Sequence, residues 1–193
     1  MPSPPDEASR VVASVLWRRL DTPGHDCCRL EERDDGWRLE GTAVFRHEAT
    51  PARLTYVVAC DRAWRTVRGD VRGWLGARAI ELTIARAKGG PWTLDGAAVP
   101  GLESYVDLDL DFTPATNLLQ LRRIALADGQ AADVPVAWLD VSVGTLTALP
   151  QRYERRSEST YWYESPSAGY EGLLEVDATG FIRRYPGLWE SES

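Results

Sequence analysis

The sequence predicts an all-β, mainly antiparallel protein, a single curved, barrel-like sheet of about ten or more strands with at most one or two short helices. Three observations predict it. Turn signals recur at short intervals, apolar residues alternate with period two between them, and one segment alone has helical character. The turns include Pro23-Gly24, Asp34-Asp35-Gly36, Thr50-Pro51, Gly89-Gly90, Asp95-Gly96, Pro100-Gly101, Asp128-Gly129 and Asp177-Ala178-Thr179-Gly180. Glycine supplies positive φ and proline presets φ, so such pairs reverse the chain between hairpin strands.

In chain order, Leu16 to Leu20 is the first candidate strand. The alternation is clearest at 37–48, where Trp37, Leu39, Ala43 and Phe45 share one face and Arg38, Glu40, Arg46 and Glu48 the other. Leu54, Tyr56, Val58 and Cys60 repeat the pattern; Val57 and Ala59 make that strand apolar on both faces, as a central strand is. Ile80, Leu82 and Ile84 follow, then Val134 to Leu149, Tyr161 to Glu164, Leu173 to Val176 and Phe181 to Tyr185. The exception is the stretch after Thr113-Pro114, which reads as an N-cap with proline at the first helical position. A helix over about 114–122 and a strand over 119–126 fit equally. Residues 1–9 and 190–193 read as loose ends around one domain, 10–189.

A chain of 193 residues, 44% hydrophobic and 26% charged, is able to bury a core. The net charge of −7 is uneven: residues 1–100 carry 15 basic and 14 acidic side chains, residues 101–193 carry 7 and 15. The second half is the reverse of a basic nucleic-acid footprint, and nucleic acid is set aside as a partner. Cys27, Cys28 and Cys60 make an odd count with no metal-site spacing, unlike a secreted disulfide framework. The N-terminus lacks a basic region followed by an apolar run, and no stretch is long and apolar enough to span a membrane. A cytoplasmic protein is expected.

Asp107, Asp109 and Asp111 alternate with Leu108 and Leu110, so on a strand the three acids share a face. They form a solvated face, contacts to a polar ligand, or an acid–base pair. Close like charges on a buried wall would need partners such as Arg122 or Arg123. His25 and His47 stand apart from any cluster of ligands, so neither a metal nor another cofactor is expected. Phosphate-binding glycine motifs and a nucleophile elbow are absent. Tyr153, Tyr161, Trp162, Tyr163, Tyr170, Tyr185 and Trp189 crowd the C-terminal part beside Gln151, Arg152 and Asn117. Flat rings beside amides and acids suit a sugar's apolar faces and hydroxyls; such rings also fill cores.

The run Tyr105-Val106-Asp107-Leu108-Asp109-Leu110-Asp111-Phe112-Thr113-Pro114-Ala115-Thr116-Asn117, with Arg122-Arg123-Ile124 beyond, resembles a motif of the bacterial family described as putative glycolipid-binding proteins. Gly90-Pro91-Trp92, Gln151-Arg152-Tyr153-Glu154 and Val176-Asp177-Ala178-Thr179-Gly180-Phe181 leading to Tyr185-Pro186-Gly187-Leu188-Trp189 resemble it in the same order, over roughly 15–189. Gln120 stands where the pattern tends to have proline, and Ile124 where it has leucine. The resemblance implies a curved sheet like that of bacterial lipoprotein carriers. It implies a non-catalytic pocket for an amphipathic small molecule such as a glycolipid. The residues carried over are Asp109, Asp111, Thr113, Thr116, Asn117, Arg122, Arg123, Gln151 and Tyr153. In that reading Arg122, Arg123, Asn117 and Gln151 hold the headgroup, and Tyr153 stacks on a sugar. The alternatives are a carbohydrate hydrolase using Asp109 and Asp111, and a structural or partner-binding domain.

Overall fold

A computed structural model describes residues 9–87 and 89–192. Its strands are β1 (Arg10–Arg19), β2 (Gly24–Arg33), β3 (Gly36–His47), β4 (Thr50–Asp61), β5 (Thr66–Leu75), β6 (Arg78–Arg86), β7 (Trp92–Leu94), β8 (Ala97–Val99) and β9 (Leu108–Leu110). After the helix α1 (Asn117–Ile124) come β10 (Ala131–Asp133), β11 (Val136–Asp140), β12 (Thr145–Leu149), β13 (Arg152–Ser157), β14 (Thr160–Ser165), β15 (Tyr170–Val176), β16 (Ile182–Tyr185) and β17 (Trp189–Glu192). The all-β antiparallel expectation and the short helix hold.

Fourteen strands form one sheet in the order β10-β13-β14-β15-β16-β17-β1-β2-β3-β4-β5-β6-β7-β8. The terminal strands β10 and β8 do not pair, so the sheet is open and the word barrel needs that correction. A small sheet, β12-β11-β9, includes a parallel pairing of β9 with β11. Its Leu108, Leu110, Ala137, Leu139 and Leu146 share one core with Trp17, Leu39, Leu54, Tyr56 and Val58 of the large sheet. The small sheet therefore packs on the large one's inner face. Gly69 permits the approach: a Cβ there would meet the Leu108 side chain at 2.6 Å.

The inner face follows the alternation in the sequence. Leu39, Ala43 and Phe45 are buried on β3, and Leu54, Tyr56, Val58 and Cys60 on β4. Cys28 is buried and its neighbour Cys27 exposed, as opposite faces of β2 require. The expected loose N-terminus lies outside the described residues apart from Ser9. At the other end, β17 pairs with β1 out to Glu192 and with β16 out to Glu190, so ordered strand runs past the boundary expected at 189.

Helix α1 begins at Asn117, later than the Thr113-Pro114 start read from the sequence. The residues between form tight turns, with Asn117 N bonding Pro114 O (3.3 Å) and Leu118 N bonding Ala115 O (3.3 Å). Thr113 Oγ1 accepts from Ala115 N (3.0 Å), so it caps this turn and not the helix. Leu118 and Leu119 enter the main core, while Leu121 joins a second core with Tyr153, Tyr163, Leu174 and Ile182. The helix thus ties the corner at 113–117 to both cores, and that corner forms one wall of a cavity.

Candidate functional site

The acidic stretch ends β9 and turns into the corner before α1. Leu108 and Leu110 are core residues, yet Asp107 and Asp109 are buried too, so the face is not a solvated one. Each acid has a separate set of partners. Arg123 forks onto Asp107, with Nε at 2.8 and 3.0 Å from its two oxygens and Nη2 at 2.6 Å. Even so, burial outweighs the guanidinium and leaves the Asp107 pKa above the usual carboxylate range.

Asp109 is held on both oxygens. Thr116 Oγ1 donates to Oδ1 (3.1 Å) and Gln151 Nε2 to Oδ2 (2.5 Å). Thr116 Oγ1 in turn accepts from Leu110 N (3.3 Å). Burial pushes Asp109 up to about 6, against these two donors and the amide of Gln120, which lower it. Among the described residues, Gln120 Nε2 makes no hydrogen bond of good geometry, so its pull on Asp109 is a through-space one. Tyr153, fully buried, is the hub behind the acid. Its hydroxyl accepts from Asn117 Nδ2 (2.8 Å) and has one proton to give, to Gln120 Oε1 (2.6 Å) in preference to Gln151 Oε1 (3.2 Å). Gln120 therefore sits in the first turn of α1 as a working member of this network.

Asp111 is the least restrained of the three. Among the described residues its carboxyl accepts one hydrogen bond, from Val141 N to Oδ1, at 3.4 Å. Protein surrounds it closely enough to push its pKa up to about 7, with Asp140 and Asp109 adding to the rise and Arg19 opposing it. Asp111 is nevertheless exposed, so water screens part of that effect.

Thr113 reaches back across the core. Its hydroxyl donates to Asp26 Oδ2 of β2, which also accepts from Tyr56 Oη (2.8 Å). Asp26 is wholly buried, its Oδ1 has no partner among the described residues, and burial raises its pKa to about 7. Gly41 makes the room for Tyr56, since a Cβ there would stand 2.3 Å from the phenol oxygen.

Of the nine residues singled out from the sequence, Asp109, Asp111, Thr113 and Asn117 line a cavity of ≈ 260 Å³. Thr116, Gln151 and Tyr153 brace those residues through the bonds above. Arg123 is committed to Asp107. Arg122 points elsewhere, donating to the Thr179 carbonyl and lying over the Trp64 ring at 5.9 Å. The cavity's other walls are aromatic: Trp138 from β11, Tyr163, Tyr170 and Tyr185 from β14 to β16, and Trp189 from β17. The three tyrosines stand at inclined angles, with centroids 5.0 to 5.9 Å apart. Tyr163 sits opposite Tyr153 on one neighbouring strand and Gly172 on the other. A Cβ on Gly172 would meet Tyr170 Oη at 2.7 Å, so that glycine admits the Tyr170 ring.

Four of these rings belong to the aromatic group visible in the sequence. Trp138 was not singled out; only its place on β11, paired with Asp109 in the small sheet, brings it here. Three larger depressions, ≈ 490, ≈ 470 and ≈ 420 Å³, lie among strand and hairpin residues such as Arg38, Glu40, Arg68, Asp70 and His25. They are more open and none gathers more than one Tyr, Trp or Phe ring, so the ≈ 260 Å³ cavity is the candidate site.

An open fourteen-stranded antiparallel sheet sharing a core with a small second sheet, with a ring-walled cavity at the acidic corner, defines the class. Residues 14–191 match the family described as "Putative glycolipid-binding", and the chain belongs to that family. The fold is similar to the crystal structure of a DUF1089 family protein from Pseudomonas aeruginosa. The two share 27% sequence identity with a TM-score of 0.75, over 86% of this chain and 91% of the other. Among curated proteins no match is found. No helix among the described residues is long and apolar enough to cross a membrane.

Proposed function

We propose that the protein binds the carbohydrate headgroup of a glycolipid, without transforming it, in the cavity between the acidic corner and the aromatic wall. One observation carries this reading: five aromatic rings face Asp109, Asp111, Thr113 and Asn117 across ≈ 260 Å³. Rings offer faces to a sugar's C–H surface, and the acids and amide offer partners to its hydroxyls. The volume lies below the usual range of about 300–1,000 Å³ for small-molecule pockets, so it suits a single ring and excludes acyl chains. The small sheet covers the inner face of the large one with a shared core, so the tails stay outside. Family membership supports the ligand class, and three free cysteines support a cytoplasmic location.

Hydrolysis by Asp109 and Asp111 is the second reading, favoured by the presence of both in one cavity. Against it, they project from one wall two residues apart, whereas paired glycosidase acids flank the scissile bond. Native mass spectrometry of the purified protein, followed by organic extraction, tests the binding reading. A co-purifying glycolipid that is lost in Tyr170→Ala supports it. A clean apo mass that stays unchanged on adding lipid extract overturns it, and released reducing sugar establishes the hydrolase.

A further inference from the structure

We propose that the group entering the cavity carries an ammonium charge, so that the headgroup is an amino sugar or a quaternary-ammonium alcohol and not a neutral or anionic one. This rests on the cavity being the ligand site and adds the charge of what it receives.

The lining makes the argument. Trp138, Tyr163, Tyr170, Tyr185 and Trp189 present rings to one small volume. The negative face of such a ring attracts a cation, and several inclined rings together make the cage that suits ammonium groups. Among the described residues, the only charged side chains in the lining are the carboxyls of Asp109 and Asp111. The arginines that could have received a phosphate or carboxylate are engaged elsewhere. Arg123 is forked on Asp107, and Arg122 lies over Trp64. Arg19 stacks beside Trp189 and Phe45 but is paired with Asp21 at 2.8 Å. An anionic headgroup would face two acids, one of them buried, with Arg19, already paired with Asp21, as their nearest cation, a costly arrangement. An ammonium group would neutralise the acids and fill the cage in one step.

The surroundings of the two acids give a second signature. Asp111 is faced by Asp109, by Asp140 of β11 and by Arg19 of β1. Asp109 is faced by Asp107 and by the phenols of Tyr153, Tyr163 and Tyr185, which burial keeps neutral. Both acids hold protons more tightly than free carboxyls do. A bound cation favours their ionised forms, so binding expels protons and tightens as pH rises from 5 to 7.

Calorimetric titration with two matched pairs tests this: choline against 3,3-dimethyl-1-butanol, and glucosamine against glucose. The expected result is at least tenfold tighter binding of the charged member of one pair at pH 7, weakening at pH 5. Asp111→Asn should remove that preference without unfolding the protein, since among the described residues the Asp111 carboxyl accepts only one long hydrogen bond. Preference for choline identifies a quaternary ammonium, and preference for glucosamine an amino sugar. If the neutral members bind as tightly as the charged ones, the charge inference falls and the sugar-binding reading stands. If none of the four binds, the ammonium inference falls, and the ligand-site reading is then decided by the native mass experiment.

Discussion

Replacing Asp26 by Asn should make the stability difference between variant and wild type change sign with pH. Asp26 is wholly buried, and its pKa stands at about 7 against 3.8 for a free carboxyl, mainly through desolvation. The folded state therefore keeps a proton that the unfolded chain releases above pH 3.8. Its share of stability is greatest below that pH, falls as pH rises toward 7, and is level beyond. At 1.36 kcal/mol per unit, the loss between pH 4 and 8 is roughly 4 kcal/mol. In Asp26→Asn the side chain cannot ionise, but its amide places donors where Oδ1 now has no partner, at about 1–3 kcal/mol. The variant should thus be less stable than wild type at pH 4 and more stable at pH 8, crossing between about pH 4.5 and 6. Asp109 and Asp111 titrate in both proteins, so the difference isolates Asp26. Urea unfolding at five pH values from 4 to 8 measures it. A difference that is constant across the range would refute the claim that Asp26 is a buried, proton-holding acid.

Tyr153→Phe leaves Asn117 Nδ2, Gln120 Oε1 and Gln151 Oε1 short of a partner, and should lower unfolding free energy by about 2–4 kcal/mol in urea melts. Arg123→Ala strands the buried Asp107 charge and should cost about 3–5 kcal/mol at pH 7, part of it recovered on adding Asp107→Asn. Gly172→Ala pushes on the Tyr170 ring. It should keep the circular-dichroism spectrum and weaken ligand binding about tenfold in the calorimeter, while an equal loss of stability would assign Tyr170 to the core alone.

The strands that the sequence disclosed are those whose inner face is uniformly apolar. On β3, Leu39, Ala43 and Phe45 alternate with charged or small residues, and the reading was correct nearly to the residue. Strand β2 escaped because its inner face carries Asp26 among Cys28 and Leu30, with Glu31 buried as well. Strand β5 escaped because Gly69 and Gly73 leave gaps where the pattern needs side chains. Val134 to Leu149 read as one stretch and holds two short strands joined by a turn.

At the site, the Thr-Pro-Ala-Thr-Asn corner and the aromatic group were each visible, because each is local. Their meeting was not. Asp109 and Gln151 are 42 residues apart, and Asp26 and Thr113 are 87. The division of labour among the polar residues is set by such long-range partners. Arg123 reads as a headgroup ligand until Asp107 is seen buried beneath it.

The central claim is that the ligand occupies the aromatic-walled cavity, and the indole N–H signals of the eight tryptophans test it most directly. On adding the ligand extracted from the purified protein to apo protein, the signals of Trp138 and Trp189 should shift while that of the exposed Trp74 stays in place. Shifts confined to Trp74, with Trp138 and Trp189 unmoved, would place the ligand on the outer face of the sheet and contradict the account.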